Sequence, residues 1–323
     1  MDYKVSSRVT LACAAGLAAA TLGCRGPDRL VIYQEEAPTP TPYSDLAAGQ
    51  IAVSRQITTR DGTYSVDLGF TDQGGTAPVR FDVSSADDES WGYREQDIAR
   101  LQDWHESARQ SAWRAANSQQ SSQAQFNAEL KDLQAEYGRK RRDYIVSQNF
   151  KFLPDGSIEA DIPALVRKNA PRLAPMARAM EKSVGIKSRA HDWLLRAATA
   201  MVQAAIAYQP VSAVIDGIHT GGIWPPVYAL IHGRGDCDTK AALLASILAN
   251  VPGTRILGIK VSGHYLLGVL TNPAKNDSYI QYQGEKYLLV EPAGPAQLPP
   301  GTLSEGTKAL FKEGIPYDVD RLF

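Results

Sequence analysis

Residues 224–250 read WPPVYALIHGRGDCDTKAALLASILAN. Gly233 and Gly235 allow a tight turn just ahead of Cys237. Beyond it, Ala241, Leu244, Ala245 and Leu248 recur at helical spacing, and Leu243 and Ile247 widen the apolar face. The pattern predicts a buried helix that carries Cys237 in its first turn. The first N–H groups of a helix lack intrahelical partners and hold partial positive charge. That position is expected to lower the thiol pKa and favour the nucleophilic thiolate. The same N–H groups can stabilise an oxyanion. Asp236 and Asp238 flank the cysteine; their charge opposes the thiolate, while an Asp at a helix start also caps it. The plain alternative is a small core residue, as free cysteines often are.

The rest of the chain bears on that choice. Its 323 residues allow one large or two modest domains, and a net charge of −1 gives no basic field for a nucleic-acid partner. Residues 1–24 read as an export signal: Lys4 and Arg8 precede an apolar run from Val9 to Gly23 that is short for a membrane span. Thr21-Leu22-Gly23-Cys24 resembles a bacterial lipobox with its first two positions exchanged. It implies lipidation at Cys24 and a membrane-anchored lipoprotein; the alternative is an ordinary signal cleaved after Ala20 and a secreted protein. Cys13 is lost with the signal, and Cys24 is either lost or lipidated. Cys237 is then a lone thiol in an exported protein, where cysteines usually pair.

Residues 25–50 form a linker extended by Pro38, Pro40 and Pro42. In 51–92, Tyr64, Val66 and Leu68 alternate with polar residues, as do Val79, Phe81 and Val83, with Gly74-Gly75 between them; a small β-hairpin or sheet is expected. Residues 93–150 are rich in Gln, Ala, Arg and Glu. Ile98, Leu101 and Trp104 form one stripe; Phe126, Leu130, Leu133, Tyr137 and Tyr144 form another. A long helix, or a helical hairpin turning in the polar stretch 117–125, fits equally, with coiled-coil character and either internal packing or self-association through 95–149. Residues 151–323 read as the main domain. Ile162–Met180 is expected to be helical but broken by Pro171 and Pro175, and Arg189–Ala207 forms an amphipathic helix ending near Gln203.

After the Cys237 helix the pattern turns to strands. In RILGIKVSGHYLLGVL (255–270), His264 shares a face with Leu266, and Tyr265, Leu267 and Val269 share the other. Tyr279–Gln283 and Lys286–Glu291 form a hairpin around Gly284, which Pro292 ends. A thiol nucleophile needs a base that returns its proton to the leaving amine, and imidazole does both near neutral pH. A carboxylate fixes the imidazole. Cys237, His264 and Glu291 supply these three groups. His232 is a rival base in the turn. The scattered histidines give no metal-ligand spacing, and no phosphate loop or dinucleotide fingerprint appears, so no cofactor is expected.

GRGDCDTKAALLASIL, SGHYLLGV and YLLVEPAG together resemble the transglutaminase-like superfamily of cysteine enzymes, over Arg189 to Gly301. The resemblance implies an α+β domain with a papain-like core: a helix bearing Cys237 packed on an antiparallel sheet bearing His264 and Glu291. It implies Cys237 as nucleophile, His264 as base and acid, and Glu291 as orienter, where the family more often has Asp. Gln203 corresponds to a Gln that donates to the oxyanion, in a segment, Val202 to Tyr208, that is longer than the family pattern. The implied substrate is a peptide or protein amide, with hydrolysis favoured over crosslinking. The rival is an inactive lipoprotein that uses this fold as a scaffold and binds through its helical arm.

Overall fold

The computed structural model describes residues 54–72, 75–85, 91–119, 122–183, 190–294, 297–312 and 314–323. The export-signal reading, Cys24 and the Pro-rich linker lie outside the described residues. Among those described, no helix is long and apolar enough to cross a membrane. The protein is mixed α+β, with seven helices among the described residues.

In chain order the first half holds β1 (Ser54–Arg60), β2 (Thr63–Asp72), β3 (Gly75–Ser84), β4 (Tyr93–Arg94), α1 (Glu95–Gln119), α2 (Gln123–Ser147), β5 (Phe150–Phe152), β6 (Ile158–Ala160) and α3 (Ile162–Ser183). Then come α4 (Ala190–Ala205), β7 (Ala207–Tyr208), β8 (Val214–Ile215), β9 (Ile218–His219), α5 (Pro226–His232), β10 (Arg234–Gly235) and α6 (Cys237–Leu248). The chain closes with β11 (Ile256–Val261), β12 (His264–Leu270), β13 (Tyr279–Tyr282), β14 (Glu285–Val290), α7 (Glu305–Lys312) and β15 (Tyr317–Arg321).

Two compact units emerge, and they cut across the linear division expected from composition. One joins the described part of 1–89 to Ile162–Val211 and Ile223–Phe323; the other joins Ser90–Asp161 to Ser212–Gly222. The reason is pairing between distant segments: β9 pairs with β4 in the second unit, and β3 packs on α3 in the first.

In the second unit the arm is a helical hairpin. Tyr144 Oη donates to Asp97 Oδ2 at 2.6 Å, Lys140 lies over the Trp104 ring, and His105 stacks on Tyr137. These pairs run in opposite chain directions, as antiparallel helices require. The polar stretch holds the turn: Ser122 caps α2 and Gln125 reaches back to it in a capping box.

In the first unit, β1–β2–β3 is an antiparallel meander. The alternation in the sequence meets across the ladder: Tyr64 faces Val83, Val66 faces Phe81 and Leu68 faces Val79. The turn into β2 is Asp61-Gly62, both at positive φ, as a two-residue hairpin loop demands. The helix expected to break at Pro171 and Pro175 runs through both as α3. Residues four apart share a helix face, and neither proline is among α3's buried residues. Leu165, Val166, Leu173, Met176 and Met180 are buried on the other side, and packing there outweighs the lost backbone bonds.

α6 is the centre of this unit. Every residue from Thr239 to Leu248 is buried, and α3, α4, α5 and β12 pack around it. A helix that is apolar on nearly every side belongs inside. Beside it lies an antiparallel sheet in the order β13-β14-β12-β11-β15. Leu257, Ile259, Leu266, Tyr287 and Leu289 fill its other face, with Phe311 of α7. Tyr265 crosses Gly258 and donates to Asp320 Oδ2 at 3.0 Å. A Cβ on Gly258 would lie 1.8 Å from the Tyr265 hydroxyl. Gly258→Ala is therefore expected to destabilise the protein by about 1–3 kcal/mol, the usual cost of overpacking, read as a lowered urea midpoint against wild type.

Candidate active site

The turn before α6 is fixed from three sides. Asp236 caps the helix: its Oδ1 accepts from the Thr239 N–H at 3.3 Å and the Thr239 hydroxyl at 2.8 Å. Its Oδ2 accepts from the Val211 N–H at 3.3 Å. β10 pairs in parallel with β7, and the Gln209 N–H donates to Gly235 O at 3.0 Å. The Trp224 N–H donates to Thr239 Oγ1 at 3.1 Å. Gly235 is required here, since a Cβ would lie 2.4 Å from Thr239 Cγ2. Cys237 is thereby held in the first turn of α6, 8% exposed.

His264 opens β12, opposite Val261, after a turn at Gly263 with φ 71°. Glu291 follows β14 directly. β12 and β14 pair with Leu267 opposite Val290, and continuing that register sets Leu266 opposite Glu291. His264 and Glu291 then share a face. His264 Nε2 lies 3.4 Å from Glu291 Oε1, close enough to pair as ions but outside hydrogen-bond alignment. The backbone N–H of Tyr265, the residue after His264, points at the Cys237 sulfur. The thiol thus lies beside the His264–Tyr265 peptide.

The thiol itself donates to Asp238 Oδ1 at 2.9 Å. No hydrogen bond joins it to His264. Its pKa is not lowered, as its helix position predicts, but raised. Burial is the largest cause, followed by the charge and hydrogen bond of Asp238 and the charge of Asp236; the Tyr265 N–H opposes them. Glu291 goes the other way. Burial alone would raise its carboxyl, but His264, the Ser304 N–H at 2.8 Å and the Thr307 hydroxyl at 2.8 Å together hold it down to about 2. Ser304 caps α7 through the Thr307 N–H, so the carboxylate sits at a helix N-terminus.

Gln203 does not have the free amide that an oxyanion donor needs. Its Nε2 donates to Glu291 O at 2.8 Å and to Leu298 O at 2.9 Å, which uses both protons. It holds the Glu291 backbone instead. Lys240 continues this strut. It is 1% exposed and donates to Ile206 O at 2.8 Å and Gln203 O at 3.5 Å, and burial pushes its pKa down to about 8. The rival base His232 stacks on Tyr228 at 3.9 Å between ring centroids. A cavity of about 100 Å³, lined by Leu195, Leu248, Val251 and Val269, lies at the end of α6 away from Cys237. Among the described residues no cluster of side chains could hold a metal.

Ser304, Thr307 and Lys240 are absent from the sequence-based set. Ser304 ahead of an amphipathic run is a readable helix cap, but nothing local ties it to Glu291. No family model matches the chain, and neither a curated protein nor a solved structure matches it.

Because the Glu291 carboxyl is more acidic folded than unfolded, its stabilisation is complete above about pH 4.5. It is lost as the pH falls toward about 2. In Glu291→Gln this segment of the acid-stability profile is expected to flatten, as measured by denaturant unfolding at a series of pH values.

Proposed function

We propose that this protein is a cysteine enzyme acting on peptide or protein amides, built on a papain-like core of the transglutaminase-like kind. One observation carries the reading. A histidine pairs with a carboxylate fixed at a helix N-terminus, next to a peptide whose N–H points at a helix-start thiol. These are the three residues that thiol chemistry requires, drawn from α6, the start of β12 and the end of β14.

In the state described, the thiol proton is directed at Asp238. Reaction begins when the sulfur turns from Asp238 and His264 takes the proton. The thiolate attacks the amide carbon. His264 returns the proton to the nitrogen as the C–N bond breaks, leaving a thioester and a free amine. Water then attacks the thioester, His264 takes its proton, and the acid leaves as the thiol reforms. An amine in place of water gives acyl transfer. Glu291 keeps the imidazole oriented and stabilises its cationic form. We favour hydrolysis, as the family resemblance implies, and a location outside the cytoplasm, since the amino-terminal sequence resembles a lipoprotein signal.

A scaffold without catalysis is the second reading, favoured by the raised thiol pKa and by the Cys237–Asp238 bond. The test is incubation with a mixture of peptides and an added alkylamine, read by mass spectrometry. New peptide termini or amine adducts are expected, reduced by at least ~100-fold in both Cys237→Ala and His264→Ala, the scale of general acid–base loss. Turnover that survives Cys237→Ala, or is absent from wild type, contradicts the enzyme.

A further inference from the structure

Two N–H donors just ahead of the nucleophile have no acceptor. Trp224 is 5% exposed, and its indole Nε1 is buried without a hydrogen-bond partner. The Arg234 guanidinium lies over it, its carbon 4.5 Å from the ring centroid. The Arg234 Nε is also buried and unpartnered. The acids nearest in sequence are committed elsewhere: Asp236 to Thr239 and Val211, Asp238 to the Cys237 thiol. Among the described residues no carboxylate reaches Arg234 within ion-pair distance.

Buried polar groups are nearly always paired, and an exception needs a cause. Both groups donate and neither can accept. Whatever satisfies them must bring acceptor oxygens, and the fixed positive charge selects an anion. A guanidinium fork matches a planar carboxylate through two parallel bonds, and the rigid indole adds a third donor. Both residues are tied to the Cys237 turn: Arg234 lies three residues before the thiol, and the Trp224 N–H bonds to Thr239 in the first turn of α6.

We propose that Arg234 and Trp224 form a carboxylate-binding subsite beside Cys237, so that the enzyme selects peptides bearing a free carboxylate near the amide it attacks. This rests on the cysteine-enzyme reading above. The carboxylate is either the carboxyl terminus of a peptide or an Asp or Glu side chain.

The test compares alkylation of Cys237 by iodoacetate, which carries a carboxylate, with alkylation by uncharged iodoacetamide. The iodoacetate-to-iodoacetamide rate ratio is expected to fall roughly tenfold in Arg234→Gln, the scale of one charge-assisted contact. A smaller fall is expected in Arg234→Lys and Trp224→Phe. Other charges around Cys237 contribute equally to the ratio in wild type and in each variant, so the change alone is diagnostic. An unchanged ratio in Arg234→Gln overturns the subsite.

Wild type supplies an arm that needs no variant to fold. N-acetylalanine, with a terminal carboxylate, and N-acetylglutamic acid α-amide, with a side-chain carboxylate, are each tested for protection against iodoacetamide. N-acetylalaninamide is the uncharged control. Protection by one acid identifies the source, and protection by both shows that the subsite takes either. Equal protection by all three, or by none, overturns the proposal. Failure of the underlying reading appears separately, as an iodoacetamide rate in Asp238→Asn that is indifferent to added His264→Ala while the ratio still responds to Arg234.

Discussion

A buried carboxylate that holds three donors at once sets the geometry of this site. Asp236 ties the Thr239 N–H and hydroxyl to the Val211 N–H, and so joins the strand-like segment after α4 to the first turn of α6. Burial pushes its own pKa up, and the Thr239 and Val211 donors counter that. Without the cap, the first N–H groups of a fully enclosed helix would be orphaned where water cannot reach them. With it, the following residue, Cys237, emerges at one fixed place beside the start of β12. The same end of the unit is braced by Lys240 on α6, whose Nζ reaches Gln203 O, while Gln203 holds Glu291 O. The Cys237-bearing helix and the Glu291 backbone are thus linked through a buried chain of hydrogen bonds that involves neither the thiol nor the carboxylate.

The electrostatics of the pocket decide its resting state. A helix N-terminus favours an anion by about 0.3–1 kcal/mol, up to about 2 in favourable burial. Full burial of a titratable group can shift its pKa by about 3–5 units, several times more energy. Cys237 is 8% exposed, and Asp238 both accepts its proton and repels its charge. Burial therefore wins and the thiol stays protonated. Glu291 is buried too, but it gathers enough donors at the α7 N-terminus to remain an anion. A neutral thiol and a charged carboxylate thus coexist at neutral pH, the thiol beside the Tyr265 N–H and the carboxylate beside the His264 imidazole.

Much of this was legible in the sequence because it is written in local periodicity. The apolar run 241–248 gave the buried helix, and the alternation in 264–269 gave the correct faces of β12. Tyr64, Val66 and Leu68 met the partners that their pattern implied, and the polar stretch near Ser122 held the hairpin turn. What escaped depends on tertiary partners. Gln203 looked like a free amide because nothing local shows that Glu291 O and Leu298 O will meet it. Pro171 and Pro175 looked like breaks because their shared face, and the core under the other one, are not visible one residue at a time. The thiol pKa was misjudged for the same reason: helix position is local, but burial and the rotamer that reaches Asp238 are not. Ser304 and Thr307 became ligands of Glu291 only through the return of the chain after β14.

The central claim is that His264 serves the Cys237 thiol once Asp238 lets it go. The direct measurement is the iodoacetamide alkylation rate of Cys237 across pH in four proteins: wild type, Asp238→Asn, His264→Ala and the double variant. The account predicts slow alkylation of wild type below the ordinary thiol pKa of about 8.5. It predicts a marked rise near neutrality in Asp238→Asn, and loss of most of that rise when His264→Ala is added, so that the two sites couple. An equal rise with and without His264 would contradict it: the thiol and the imidazole would then be neighbours that do not exchange a proton.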